Sequence, residues 1–143
     1  MALIASGNLS PKGLCVLTVV LSTPLGVTRH RHTAQALIDS GAELTAVRAS
    51  LATQLHLPTD GVDDVRDAFG VVRTCFTSAC SLLFYCDDDG FDRTENFTIT
   101  SQVAVVDGAI EFEHGCDLII GASTLDGFRL IVDYADRNFR IER

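Results

Sequence analysis

Two segments of this chain repeat one pattern, and that repetition limits the fold more than any other feature. Leu37-Ile38-Asp39-Ser40-Gly41-Ala42 and Leu118-Ile119-Ile120-Gly121-Ala122 each run an apolar strand into Gly-Ala. A short stretch of helical pattern follows each copy. Between them lies a long β-prone run preceded by Phe69-Gly70-Val71, a glycine set between apolar residues.

The first copy carries the chemistry. A carboxylate at the end of a buried strand is costly unless hydrogen bonds hold it. Gly41 allows a tight turn, so nearby N–H groups can point back at Asp39, and Ser40 adds a hydroxyl beside it. Such a setting suits an acid that holds or shares a proton. The plainer alternative is an Asp that caps the following helix through an Asx turn.

In chain order, residues 1–13 are small and polar apart from Leu3-Ile4 and read as a flexible N-terminal arm. Residues 14–143 read as one domain. Runs 14–21 and 34–39 are strands joined by a loop with Pro24, Gly26 and the cluster Arg29-His30-Arg31-His32, a solvated turn rather than a basic patch. Residues 46–57 space Val47, Leu51 and Leu55 as an amphipathic helix stopped by Pro58. Residues 71–85 form a long strand, and Ala68-Phe69-Gly70-Val71 reads as the tip of an extended hairpin, either a mobile finger or an ordinary surface turn. Cys86-Asp87-Asp88-Asp89-Gly90-Phe91-Asp92 resembles a calcium loop but lacks its closing acid, so a β-turn is the better reading. Residues 95–107 alternate as a strand or pair of strands, 123–125 read as a helical turn, and 128–142 as a closing hairpin around Ala135-Asp136-Arg137. The pattern is all-β with one or two short helices.

Composition narrows the partners. With 143 residues, 47% of them hydrophobic, the chain can bury a real core. A net charge of −8, with Lys12 as the sole lysine, argues against nucleic-acid binding through phosphates. No apolar run reaches the roughly 18 residues of a membrane span, and no signal-peptide pattern opens the chain. Asn8-Leu9-Ser10 and Asn96-Phe97-Thr98 are glycosylation sequons that carry little weight without one. Five cysteines without framework spacing fit reduced, buried thiols in a cytoplasmic setting. Cys75 and Cys80 are not spaced as zinc ligands, so neither a metal nor another cofactor is expected.

The motif pair, its separation and the total length resemble the retropepsins, the single-lobed aspartic proteases of retroviruses and retrotransposons and their cellular and bacterial relatives. Asp39-Ser40-Gly41-Ala42 matches their Asp-Ser/Thr-Gly-Ala motif, and Ile119-Ile120-Gly121 their later hydrophobic–hydrophobic–Gly motif. The likeness spans residues 14–142. Residues 60–112 match only in general character, and Ala122 stands where viral enzymes often carry Arg or Asn. Dimer contacts are therefore expected to differ from theirs.

The resemblance implies a closed retropepsin-like β-barrel with a flap hairpin and an active site at a dimer interface. It implies catalysis by Asp39, Ser40 and Gly41, and substrate contacts from Ala42, Phe69, Gly70, Val71, Ile119 and Ile120, with Leu37 and Val47 as further apolar walls. For each apolar residue the alternative is a place in the core. Aspartic proteolysis needs two carboxylates sharing a proton, and this chain has one Asp-Ser/Thr-Gly. A symmetric homodimer with one Asp39 from each subunit follows, acting on an extended peptide or polyprotein with apolar residues at the cut. Location is expected to be cytoplasmic, or within a retroelement particle if the domain is polyprotein-derived. The competing readings are a catalytically silent dimerisation or peptide-binding module on the same fold, and an unrelated β-barrel in which Asp39 is a cap.

Overall fold

A computed structural model describes residues 3–24, 30–66, 69–84, 97–107 and 115–143. Gly26, Arg29, Ala68, Tyr85, the acidic loop at 86–92 and the sequon residue Asn96, all singled out in the sequence, lie outside the described residues. Those described form strands β1 (Leu3–Asn8), β2 (Val16–Ser22), β3 (Arg31–Ile38) and β4 (Thr45–Arg48), then helix α1 (Ala49–Gln54). Strands β5 (Gly61–Arg66), β6 (Val72–Phe84), β7 (Phe97–Val106) and β8 (Leu118–Ile120) lead to α2 (Ala122–Leu125), β9 (Arg129–Asp133) and β10 (Asn138–Glu142).

Six strands close into a barrel in the order β2-β3-β8-β4-β7-β6, with β6 returning to β2 through Val19↔Phe84 to Ser22↔Ser81. Closure leaves these strands no free barrel edge. Their alternation explains the filling. Leu17, Val19 and Leu21 of β2, Ala34, Ala36 and Ile38 of β3, and Cys80, Leu82 and Phe84 of β6 all turn inward to one core. Full burial of a side chain such as Leu118 or Ile120, both at 0% exposure, stabilises the fold by roughly 1.5–3 kcal/mol each. The sequence repeat becomes a spatial one here. β3 and β8 run parallel as neighbours, with Leu37 beside Ile119 and Ile38 beside Ile120.

Two sequence expectations give way. The N-terminal arm is strand β1, paired with β10 from Leu3↔Glu142 to Asn8↔Asn138. Its polar residues disguise a strand whose Ile4 and Ala5 are buried, and Gly7 leaves room for the ring of the buried Phe139. The helix expected over 46–57 begins only at Ala49. Thr45-Ala46-Val47-Arg48 is β4, paired in parallel with β7 and antiparallel with β8, so its backbone bonds are satisfied on both sides. Strand pairing overrides helical spacing there. Val47, Leu51 and Leu55 still share one core, reached from a strand and a helix in turn.

β1, β10 and β9 form a separate antiparallel sheet whose Ile141, Leu130 and Val132 pack on the same core. Cys15, Cys75, Cys80 and Cys116 are buried. No helix among the described residues is long and apolar enough to cross a membrane.

Candidate active site

β3 delivers Asp39 to the barrel end, where the chain leaves the sheet. The Asp39 N–H donates to the Ile120 carbonyl at 2.9 Å, which ties the acidic residue to the second motif. Its own carbonyl accepts the Ala42 N–H at 3.1 Å, closing a turn over Ser40 and Gly41. The Gly41 N–H donates to Asp39 Oδ1 at 3.0 Å. A Cβ on Gly41 would sit 3.3 Å from that same oxygen, so glycine leaves the carboxylate uncrowded. Asp39 and Ala42 are half-buried, while Ser40 and Gly41 are exposed. The Asx-turn geometry and solvent access therefore coexist: one oxygen is held, and the group still reaches the surface.

The second motif crosses this loop at close range. Ala122 N–H donates to Ala42 O at 2.7 Å, and Ser123 N–H to Glu43 O at 2.9 Å. A Cβ on Gly121 would lie 2.5 Å from Leu44 O and 2.8 Å from Ala42 O, both fixed backbone atoms. Only glycine fits that crossing. Gly121 N–H donates to Thr45 Oγ1 at 3.1 Å, and Thr45 N–H to Ser123 Oγ at 3.3 Å. Thr45 Oγ1 also bonds Thr124 Oγ1, which meets Ser101 Oγ at 2.8 Å. These buried hydroxyls brace the loop from behind. The sequence reading did not single out Thr45, Ser101 and Thr124; the available signal was hydroxyl residues inside otherwise apolar strands, or just after the second glycine. Further back, Arg48 Nε reaches Asp117 Oδ1 at 3.1 Å and Arg48 Nη2 the Cys116 carbonyl, pinning β4 to the entry of β8.

β5 and β6 form a hairpin in register from Gly61↔Thr77 to Arg66↔Val72, with Phe69-Gly70-Val71 beyond its last pair. Gly70 has φ of 81°, a left-handed conformation that suits glycine. Phe69 is 81% exposed, an unusual position for so large an apolar ring. The root is held instead. Asp60 accepts the Ala79 N–H at 2.9 Å, the Thr77 hydroxyl at 3.3 Å and the Gln102 side-chain amide.

The hairpin's inward face meets the motif strands. Cys75 and Val65 join Ala46, Ala104, Val106, Leu44 and Ile119 in a small apolar cluster outside the barrel. Leu37, the register partner of Ile119, shares that sheet face and is half-buried. Two expected pocket walls, Ile120 and Val47, are 0% exposed and point into the barrel core instead. Alternation explains this: with Ile119 outside, its neighbour must face inward. Leu44, Val65 and Cys75 were missed because the strand faces of the middle region could not be assigned from its sequence.

Among the described residues no group of three His, Cys, Asp or Glu side chains is placed to hold a metal. No family model and no curated protein matches the sequence. The structure is similar to a solved retropepsin-like aspartic protease from Rickettsia conorii, with a TM-score of 0.56 over 96% of this chain and 88% of that one. Sequence identity is 13%, so the likeness shows the fold. The chain has a retropepsin-like fold: an all-β closed barrel with two short helices.

Proposed function

We propose that this chain is one subunit of a homodimeric aspartic endopeptidase. The observation that carries the reading is the placing of Asp39. It ends a barrel strand, one oxygen held by the Gly41 N–H, within a retropepsin-like barrel crossed by Gly121. Nothing about a helix cap requires that crossing.

A single carboxylate cannot serve as base and acid in one step. Two Asp39 groups about 3 Å apart across a two-fold axis share one proton, because both cannot ionise cheaply. The ionised one takes a proton from a bound water as its oxygen adds to the scissile carbonyl carbon. The protonated one gives its proton to the carbonyl oxygen. Collapse of the tetrahedral diol then breaks the C–N bond: the carboxyl that took the water's proton gives it to the amide nitrogen, and the other carboxylate takes a proton from one diol hydroxyl as the carbonyl re-forms. Ser40, exposed beside the carboxylate, braces the pair across the interface.

The substrate is an extended protein or polyprotein segment, bound through strand-like hydrogen bonds. The hairpin tip at Phe69-Gly70-Val71 closes over it, Ala42 offers its backbone, and Leu37, Ile119, Leu44 and Val65 face its apolar side chains. The single Asp-Ser-Gly-Ala motif supports the retroviral and retrotransposon arrangement, with polyprotein processing as the task. Statine-type transition-state mimics separate this reading from a silent binding module. Tight binding that blocks peptide cleavage is expected; cleavage unaffected by any such mimic overturns the mechanism.

A further inference from the structure

Each barrel strand has a neighbour on both sides, but β7 outruns one of its two. β6 pairs with it from Phe97↔Phe84 to Val105↔Phe76. On the other side β4 covers only Val103 to Val106. Among the described residues no strand lies beside 97–102 on that side. Unpaired backbone groups at such an overhang invite another strand.

A cavity of about 400 Å³ opens at this overhang, within the roughly 300–1,000 Å³ of ligand pockets. Phe97-Thr98-Ile99-Thr100 form one wall, and Asp126-Gly127-Phe128, the turn from α2 into β9, form the other. Successive residues of a strand face opposite ways. A cavity bordered by every residue from 97 to 100 therefore runs along the strand's edge and not over one face. The facing turn runs beside β7. Thr124 Oγ1 meets Ser101 Oγ at 2.8 Å and closes one end, while Phe128 meets Phe97 at the other.

The lining specifies the occupant. Phe97 and Phe128 stand edge to face with ring centroids 5.5 Å apart, and both are half-buried, an apolar seat for one side chain. The Arg143 guanidinium lies 5.8 Å from the centre of each ring, held there by the ring faces. It has no ion pair among the described residues, so its charge is offered to a ligand. Asp126, exposed on the turn between Thr124 and Phe128, turns acidic side chains away from the middle of the groove. A second copy's β7 is a poor fit, because its own edge lies inside the same walled groove.

We infer that the 97–100 edge of β7 is a peptide-docking site, taking an extended segment of a partner protein as an added strand. The segment seats an apolar side chain on the Phe97–Phe128 pair and an acidic one at Arg143, and its backbone bonds to β7. This goes beyond the protease reading and holds whether or not the chain cuts peptides.

The test uses the Asp39→Asn protein, so that no probe is cleaved. The probe is the peptide acetyl-Thr-Val-Phe-Glu-Val-Thr-amide, with an analogue carrying Lys in place of Glu. Binding is read by calorimetry, and its place by amide hydrogen exchange. Slowed exchange within 97–102 is expected, with the Glu peptide bound about fivefold more tightly than the Lys peptide. Arg143→Glu, at an exposed position, is expected to reverse that preference without unfolding the chain. Two alternately N-methylated Glu peptides test the strand bonds. Only every second N–H of an added strand faces its neighbour, so one of the two is expected to lose binding and the other to keep it. Protection confined to 39–42 and 69–71, a preference indifferent to Arg143→Glu, or equal binding of both N-methylated peptides overturns the site. Protection of 97–102 that grows with protein concentration and without peptide makes a second copy the occupant, and overturns the partner. No cleavage is read, so failure here leaves the role of Asp39 untouched.

Discussion

The hydroxyl of Thr45 accepts the backbone N–H of Gly121 at 3.1 Å, linking the strand after the Asp39 loop to the glycine that crosses that loop. Thr45 is fully buried, so this N–H has no water to turn to. A valine of nearly the same shape would leave it unpaired and would take one partner from the Thr124 hydroxyl, which keeps Ser101 Oγ. Thr45→Val is expected to cost about 1–3 kcal/mol, read by denaturant unfolding, and to lower kcat for peptide cleavage. Unchanged stability would mean that the hydroxyl chain contributes nothing net.

Gly121→Ala tests the crossing itself. The added methyl would meet two backbone carbonyl oxygens, and neither can swing aside as a side-chain tip would. Overpacking of this kind typically costs about 1–3 kcal/mol. Here the displaced atoms belong to the Asp39 loop, so cleavage is expected to fall further than stability. Equal activity in the folded alanine variant would show that the loop tolerates displacement.

The hairpin tip makes the opposite case. Gly70 has open space around it, so Gly70→Ala meets no clash and only a left-handed backbone penalty of roughly 1–2 kcal/mol. That penalty falls on an exposed tip, not on the core. The melting temperature should fall by only a few degrees, while kcat/KM for an extended peptide drops. A variant with unaltered kcat/KM would remove the tip from substrate binding.

What the sequence made legible, and what it hid, follows from where information is local. The Asp39 turn, the strand at 118–120 and the closing hairpin depend on neighbours a few residues apart. Their apolar runs and turn residues could be read directly. The parallel pairing of β3 with β8 was visible only as a resemblance between two motifs, and pairing is what makes Ile119 face outward and Ile120 inward. Thr45–Arg48 misled because its periodicity fits a helix equally well, and two strands distant in sequence decide the matter. Asp60 gave no signal either, since its partners Thr77, Ala79 and Gln102 are brought to it by the fold.

Burial sets the behaviour of the thiols. Desolvation pushes the Cys80 thiol up to about 11, and the thiol donates to the Ser22 carbonyl. Burial likewise raises Cys15, and raises Cys116 together with the nearby Asp117 charge. These groups bind protons more tightly when folded. For Cys80, the stability this adds is whole below pH 9.0 and is lost as pH rises through about 11. Thiol reagents near pH 8 should leave Cys80 unmodified in the native protein and label it rapidly in denaturant. Prompt native labelling would contradict its buried position.

Charge gives the proposed dimer a pH preference. Each subunit carries a formal −8, and the two Asp39 groups add a like-charge pair at the axis. Both repulsions ease as carboxylates protonate, so association and cleavage should favour mildly acidic solution. A neutral peptide substrate assayed across pH gives the test, and an alkaline optimum would count against it.

The most direct measurement is cleavage of a peptide library, read by mass spectrometry from about pH 4 to 8, for the wild type and Asp39→Asn. Asparagine keeps the shape and the oxygen that accepts the Gly41 N–H but cannot share a proton. Cuts made by the wild type and absent from the folded variant are the predicted result, and they would define the specificity at the same time. Equal cutting by both proteins would contradict the account, because Asp39 would then be no more than the residue that shapes its turn.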